Sequence, residues 1–299
     1  MAAMQLRELF RLGKDAVDSW AADYAPSMGA ALAYYTVFSI APLLLIVISV
    51  AGLVFGQEAA RGEILGQLSG LMGEQGALAV QGLLGSVNKP REGIVATVIG
   101  VALLILGATT VFGELQNALD RIWRAPAQRP GRGVLRMLTA RLLSFGMILG
   151  IGFLLMVSLL ASAALSALGK WWAPVFGNWA GVAQGVNVVV SLGMVTVLFA
   201  LIYKLMPRAR VAWRDVWVGA AVTSVLFAVG KQLIGLYIGT TSVGSGFGAA
   251  GSLVVVLVWV YYSAQIFLLG AEFTWVYAHS YGSLRGVPRP GAVVQGDPA

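Results

Sequence analysis

Glu272, Glu114 and Lys231 stand apart from their surroundings in this sequence: each is ionisable, and each lies in an apolar run long enough to cross a bilayer. A charge near mid-bilayer costs about 2.5–3.5 kcal/mol even on the mild insertion scales, so such residues mark binding, ion passage or helix pairing. At about 100° per residue, Glu272 shares one helix face with Tyr262, Gln265 and Leu269, a polar stripe that must look at protein or a cavity rather than lipid. Glu114 stacks with Thr110, Asn117 and Arg121 at spacings of four, three and four, which makes Arg121 its candidate counter-charge. Lys231 has Gln232 beside it and Thr223 and Ser224 two turns earlier. The two glutamates fall near the same end of their runs and Lys231 nearer the other, so a Lys231–Glu272 bridge would need tilting or full side-chain reach. Two readings are open. These residues line an inward-facing cavity that takes a substrate, cation or proton, or they snorkel and hydrogen-bond between helices and hold the bundle together.

A second group lies in residues 27–56, thirty residues with no charged side chain. Pro42 has no N–H to donate and crowds the Phe38 carbonyl, which predicts a kink and a freed carbonyl that Ser39, a neighbouring helix or a water must satisfy. Tyr34, Tyr35 and Ser39 precede it. They read as packing, or as groups beside a kinked helix that offers carbonyls to a solute.

Much chemistry is excluded. With no Cys and one His, His279, there is no disulfide, thiolate nucleophile or His-rich metal cluster, and no cofactor or metal is expected. Residues 239–251, GTTSVGSGFGAAG, lack the Gly-Lys-Ser/Thr of a nucleotide loop and read as a flexible or re-entrant connection. Hydrophobic content of 58% with 11% charge, and a mean hydropathy of +0.82, place the chain among polytopic membrane proteins.

The elements that position these residues follow. The fold class expected is all-α, with six transmembrane helices at about 27–56, 93–118, 140–168, 182–206, 215–238 and 250–278. Residues 4–22 alternate Leu6, Leu9, Phe10, Val17 and Trp20 with charged positions, as an amphipathic helix in the interface does. It has no long uncharged core of a cleaved signal peptide, so it is expected to be retained. Residues 58–88 carry two short amphipathic helices, an outer-side insertion. Residues 1–282 form one membrane domain, and 283–299, rich in Pro and Gly, a disordered tail. Small-xxx-small pairs (Gly146 with Gly150, Gly181 with Gly185, Gly235 with Gly239) predict close helix packing, weakly in a chain with 38 Gly.

Basic residues segregate between the spans. The 119–141 loop holds Arg121, Arg124, Arg129, Arg132, Arg136 and Arg141, the 204–214 loop Lys204, Arg208, Arg210 and Arg214, while 169–181 has Lys170 alone. The Lys/Arg bias puts the rich loops and both termini in the cytoplasm, with fifteen of twenty basic residues inside. Orientation thus accounts for the net charge of +7 without nucleic acid as a partner. The partners expected are the bilayer, anionic lipids at the basic loops, and a solute or lipid substrate; a homo-oligomer is left open.

GAALAYYTVFSIAPLLLIV, TTVFGELQNALDRIW and GSGFGAAGSLVVVLVWVYYSAQIFLLGAEFTW, in that order, resemble the signatures of the YihY/BrkB family of bacterial inner-membrane proteins. The resemblance covers nearly the whole chain and implies six spans with cytoplasmic ends in the inner membrane. Family members have been described as virulence factors, as putative transporters and, mistakenly, as ribonuclease BN. The resemblance implies no catalytic set. The function expected is therefore a transporter or lipid-translocating protein not driven by ATP, with a non-transporting envelope scaffold as the alternative. A nuclease comes last, since Asp120 stands alone among the arginines of its loop and metal-dependent cleavage needs clustered acids; the chain is not expected to be an enzyme.

Overall fold

A computed structural model describes residues 6–87, 110–125, 179–241, 247 and 250–287. Among them the regular structure is helical, with no strand: α1 (Leu6–Ala22), α2 (Ala25–Phe55), α3 (Gln57–Val87), α4 (residues 110–122), α5 (Trp179–Leu205), α6 (Trp213–Thr240) and α7 (Gly251–Ser280). Within these residues Val188–Leu205, Trp213–Thr240 and Gly251–Ser280 are long and apolar enough to cross a membrane. They coincide with the last three expected spans, while most of 93–118 and all of 140–168 lie outside the described residues. So do the Gly146–Gly150 pair and residues 288–299 of the expected tail.

The chain forms two compact units: residues 1–23, 117–224 and 269–299, and residues 24–116 and 225–268. In the second unit, Val37 and Leu44 of α2, Met72, Val80 and Leu84 of α3, Ile234 and Ile238 of α6, and Val255 and Val256 of α7 pack into one core. The α3 segment thus contributes buried residues and is more than a surface insertion. It is two helices end to end, broken at Gly73 (φ 76, ψ 170), a backbone region open essentially to glycine. The break leaves carbonyls without intrahelical partners, and Lys231 Nζ donates to one of them, Gly70 O, at 3.0 Å. α2 continues as a helix through Pro42. The Ser39 hydroxyl bonds the carbonyls of Tyr35 and Thr36, at 3.0 and 3.1 Å, rather than the Phe38 carbonyl that Pro42 releases.

In the first unit α6 and α7 interlock through paired small residues. A Cβ on Gly219 would overlap Thr274 Oγ1, and one on Gly270 would overlap Thr223 Oγ1. Each helix thus opposes its glycine to the other's threonine, four residues apart and antiparallel, so the backbones approach closely. Both threonine hydroxyls are fully buried and satisfied by their own helix, Thr223 on Gly219 O and Thr274 on Gly270 O at 2.7 Å. With the Thr223 proton so committed, Tyr203 of α5 donates to Thr223 Oγ1 at 3.1 Å. Of the glycines singled out by spacing, three play no such part among the described residues: a Cβ at Gly185 or Gly235 would meet nothing within 4 Å, and one at Gly239 only Gln75 at 4.0 Å. Asp215, in the first turn of α6, ties down the end of α7 by accepting from Ser283 N and Ser283 Oγ at 3.1 and 2.5 Å.

Candidate functional site

Glu272 is fully buried, and among the described residues neither carboxylate oxygen has a hydrogen-bond donor against it. Helix geometry explains its aim. Gly270 and Thr274 fasten one face of α7 to α6, and Glu272, midway between them in sequence, lies about 180° round the helix from that seam. Burial acts on it first, and after burial the charges of two distant stretches of chain, Asp23 and Arg124.

Asp23 terminates α1, its N–H bonded to Ser19 O at 2.9 Å. The next residue, Tyr24, is left-handed (φ 58, ψ 35) and turns the chain into α2 with no side-chain cap, so the Asp23 carboxylate is not spent on the helix start. It is 4% exposed; Oδ1 accepts from Arg124 Nη1 at 2.5 Å, and Oδ2 has no donor among the described residues. The free oxygens of Asp23 and Glu272 are acceptors only, so when both groups are ionised no hydrogen bond can form between them.

Arg124 closes α4. Its N–H bonds Arg121 O at 3.1 Å and the Ala125 N–H bonds Asp120 O at 2.8 Å, the paired bonds of a Schellman ending. That ending puts Arg124 in the left-handed region (φ 50), where glycine is the ordinary occupant and a side chain costs about 1–3 kcal/mol. The guanidinium is fixed by Asp23, by Arg121 O at 3.2 Å, and by stacking 5.6 Å over the Trp275 ring, one turn beyond Glu272. Trp275 in turn lies 4.4 Å from the His279 ring, whose Nδ1 is 2.9 Å from Trp275 O.

The other residues named from the sequence are distributed more widely. Thr110, Glu114, Asn117 and Arg121 do lie on one helix, α4, with Glu114 half-buried and Asn117 and Arg121 exposed. Gln265 lies against Gly29, where a Cβ would overlap its amide, and both amide atoms are buried without a partner. Tyr262 flanks Gly230, Tyr35 packs edge-on against Tyr34 at 5.4 Å, and Lys231 sits on the α3 break described above. The charges that act on Glu272, Asp23 and Arg124, carry no spacing or hydropathy signal that marks them in the sequence. Asp120 has both oxygens engaged by Arg208, by its N–H at 2.7 Å and its Nη1 at 2.9 Å. Among the described residues no three His, Asp or Glu side chains gather as a metal site would need.

Comparison with known proteins supplies relatives rather than a mechanism. The chain is similar to a UPF0761 membrane protein of Ralstonia nicotianae, 26% identical over 91% of this chain and 58% of that one. It is 29% identical to UPF0761 membrane proteins of Pseudomonas aeruginosa, over 83% of this chain and 58% of the relative, and of Tolumonas auensis, over 84% and 80%. The chain thus spans under two thirds of the length of the Ralstonia and Pseudomonas proteins. No solved structure matches it. The model of the virulence factor BrkB family matches residues 16–292, and the chain belongs to that family of membrane proteins, also called YihY/BrkB.

Proposed function

We propose that this protein moves a solute or lipid across the bacterial inner membrane without ATP, in a single six-helix domain with both ends in the cytoplasm. The observation that carries the reading is Glu272: a fully buried carboxylate without a donor among the described residues, on a helix long and apolar enough to cross a membrane. A carboxylate kept for structure is normally satisfied by donors, because an unsatisfied buried charge costs several kcal/mol. One left unsatisfied is available to a charge that comes and goes. Gln265, buried and unpartnered on the same helix, supplies a second polar group for a passing substrate. Glu114 with Thr110, Asn117 and Arg121, and the Tyr35, Ser39 and Pro42 stretch of α2, are the further candidates for the pathway. Lys231, committed to Gly70 O, is the weakest of them.

The test is solute uptake and lipid scrambling in proteoliposomes of the wild type beside Glu272→Gln and Glu114→Gln. Flux that falls to background in a well-folded Glu272→Gln protein supports the reading. No flux in the wild type under any imposed gradient sinks it and favours the envelope scaffold.

A further inference from the structure

We propose that Asp23 and Glu272 form a proton-binding site, in which one proton bridges the two buried carboxyl groups while Arg124 holds the remaining oxygen of Asp23. Among the described residues, two carboxylates and one guanidinium leave one negative charge where Glu272 is fully buried and Asp23 is 4% exposed, and three of the four carboxylate oxygens have no donor.

A metal ion fits poorly. It would need about six or more oxygens, three are free, the adjacent guanidinium repels a cation, and no third acid or histidine joins the pair among the described residues. A proton needs only two oxygens that face each other. On binding, an O–H bond forms at one carboxyl and the other accepts its hydrogen bond; on release that bond breaks and the proton passes to water. Among the described residues the charged groups that act on Glu272 are Asp23 from the α1–α2 turn and Arg124 from the end of α4. On its own helix His279 lies two turns further along nearly the same face, and the opposite face, at Gly270, meets Thr223 of α6 and Tyr203 of α5. The left-handed Arg124, placed where glycine would be less strained, fixes the guanidinium that keeps the count at one proton rather than two. As the coupling ion of transport this proton rests on the reading above; its binding does not.

pH-induced infrared difference spectroscopy of the full chain in lipid nanodiscs reads the proton directly. The wild type is expected to carry a buried carboxylic-acid C=O band at neutral pH. The band should downshift in D2O, be lost in Glu272→Gln, and be lost or shifted in Asp23→Asn. Protein grown with carboxyl-13C aspartate and glutamate, which needs no substitution, should shift the same band. No such band, a band that both folded variants retain, or a band that sodium or calcium abolishes would each overturn the proposal, the last by making this a metal-ion site. The spectrum needs no flux, so a missing flux beside an intact band removes transport alone, and a missing band beside intact flux removes the proton alone.

Discussion

Asp215 and Glu272 are both fully buried carboxylates of the same compact unit, yet their surroundings are opposite. Asp215 accepts from the N–H and the hydroxyl of Ser283 and sits in the first turn of α6, where the helix dipole favours a negative charge. Glu272 accepts nothing and has another carboxyl group acting on it. The first is what a carboxylate retained for structure looks like. The second leaves free energy unrecovered in the folded state, which is tolerable only if something else, absent from the chain itself, completes the site.

The largest effect expected separates the two on function. Glu272→Gln keeps the side-chain shape and supplies an amide donor to Asp23, so the protein should be at least as thermostable as the wild type while proteoliposome flux falls to background. Asp215→Ala should do the reverse. It strands the Ser283 donors, costs about 1–3 kcal/mol in thermal unfolding, and leaves flux per folded molecule unchanged. Glu272→Gln that merely unfolds, or Asp215→Ala that abolishes flux in folded protein, would erase the distinction.

Arg124→Gly sharpens the same comparison from the side of the counter-charge. Leaving buried carboxylates unpaired costs about 3–5 kcal/mol. Relief of the left-handed backbone returns about 1 kcal/mol of that. The net loss should be rescued by adding Asp23→Asn, since the double variant removes one charge of each sign; a denaturant-unfolding cycle with no coupling between the two sites would refute the pairing.

How far these sites could be read from the sequence differs for reasons tied to each residue. Glu272 announces itself because a carboxylate inside a long apolar run is expensive. Asp23 does not: it ends an amphipathic helix already rich in acids, where an exposed carboxylate is the ordinary expectation. Arg124 is one of six arginines in a loop whose charge the orientation rule already explains, and its left-handed backbone is invisible because the residue is not glycine. The three spans from residue 179 onward coincide with uninterrupted hydropathy, so they are legible. Glycine–glycine spacing does not reveal the seam of α6 and α7, which is built from glycine against threonine, whose hydroxyl folds back onto its own helix and lets the methyl and oxygen act as a small surface.

That seam predicts the next effect. Gly270→Val would drive a branched side chain into Thr223 and the nearby Tyr203 hydroxyl, neither of which can rotate away without giving up a buried hydrogen bond. Overpacking of this kind costs about 1–3 kcal/mol, and here it should also displace Glu272 on the far face of the same turn. Gly235→Val, whose Cβ would meet nothing within 4 Å, is the control and should be nearly silent. Equal losses from the two substitutions would show that the seam does not hold α7 in place.

The smallest effect belongs to Lys231, another ionisable residue of the apolar runs. Lys231 is not orphaned as Glu272 is: its ammonium caps the carbonyl of Gly70 where α3 breaks at Gly73, so the charge meets the negative end of a helix dipole. Interactions of that kind contribute about 0.3–1 kcal/mol when solvent reaches them. Lys231→Met, which keeps the stem and removes the charge, should therefore lower thermal stability by no more than that and leave flux intact. A flux lost in a stable Lys231→Met protein would show that the ammonium serves the pathway, and that a hydrogen-bond partner is no guide to which charges in this fold are structural.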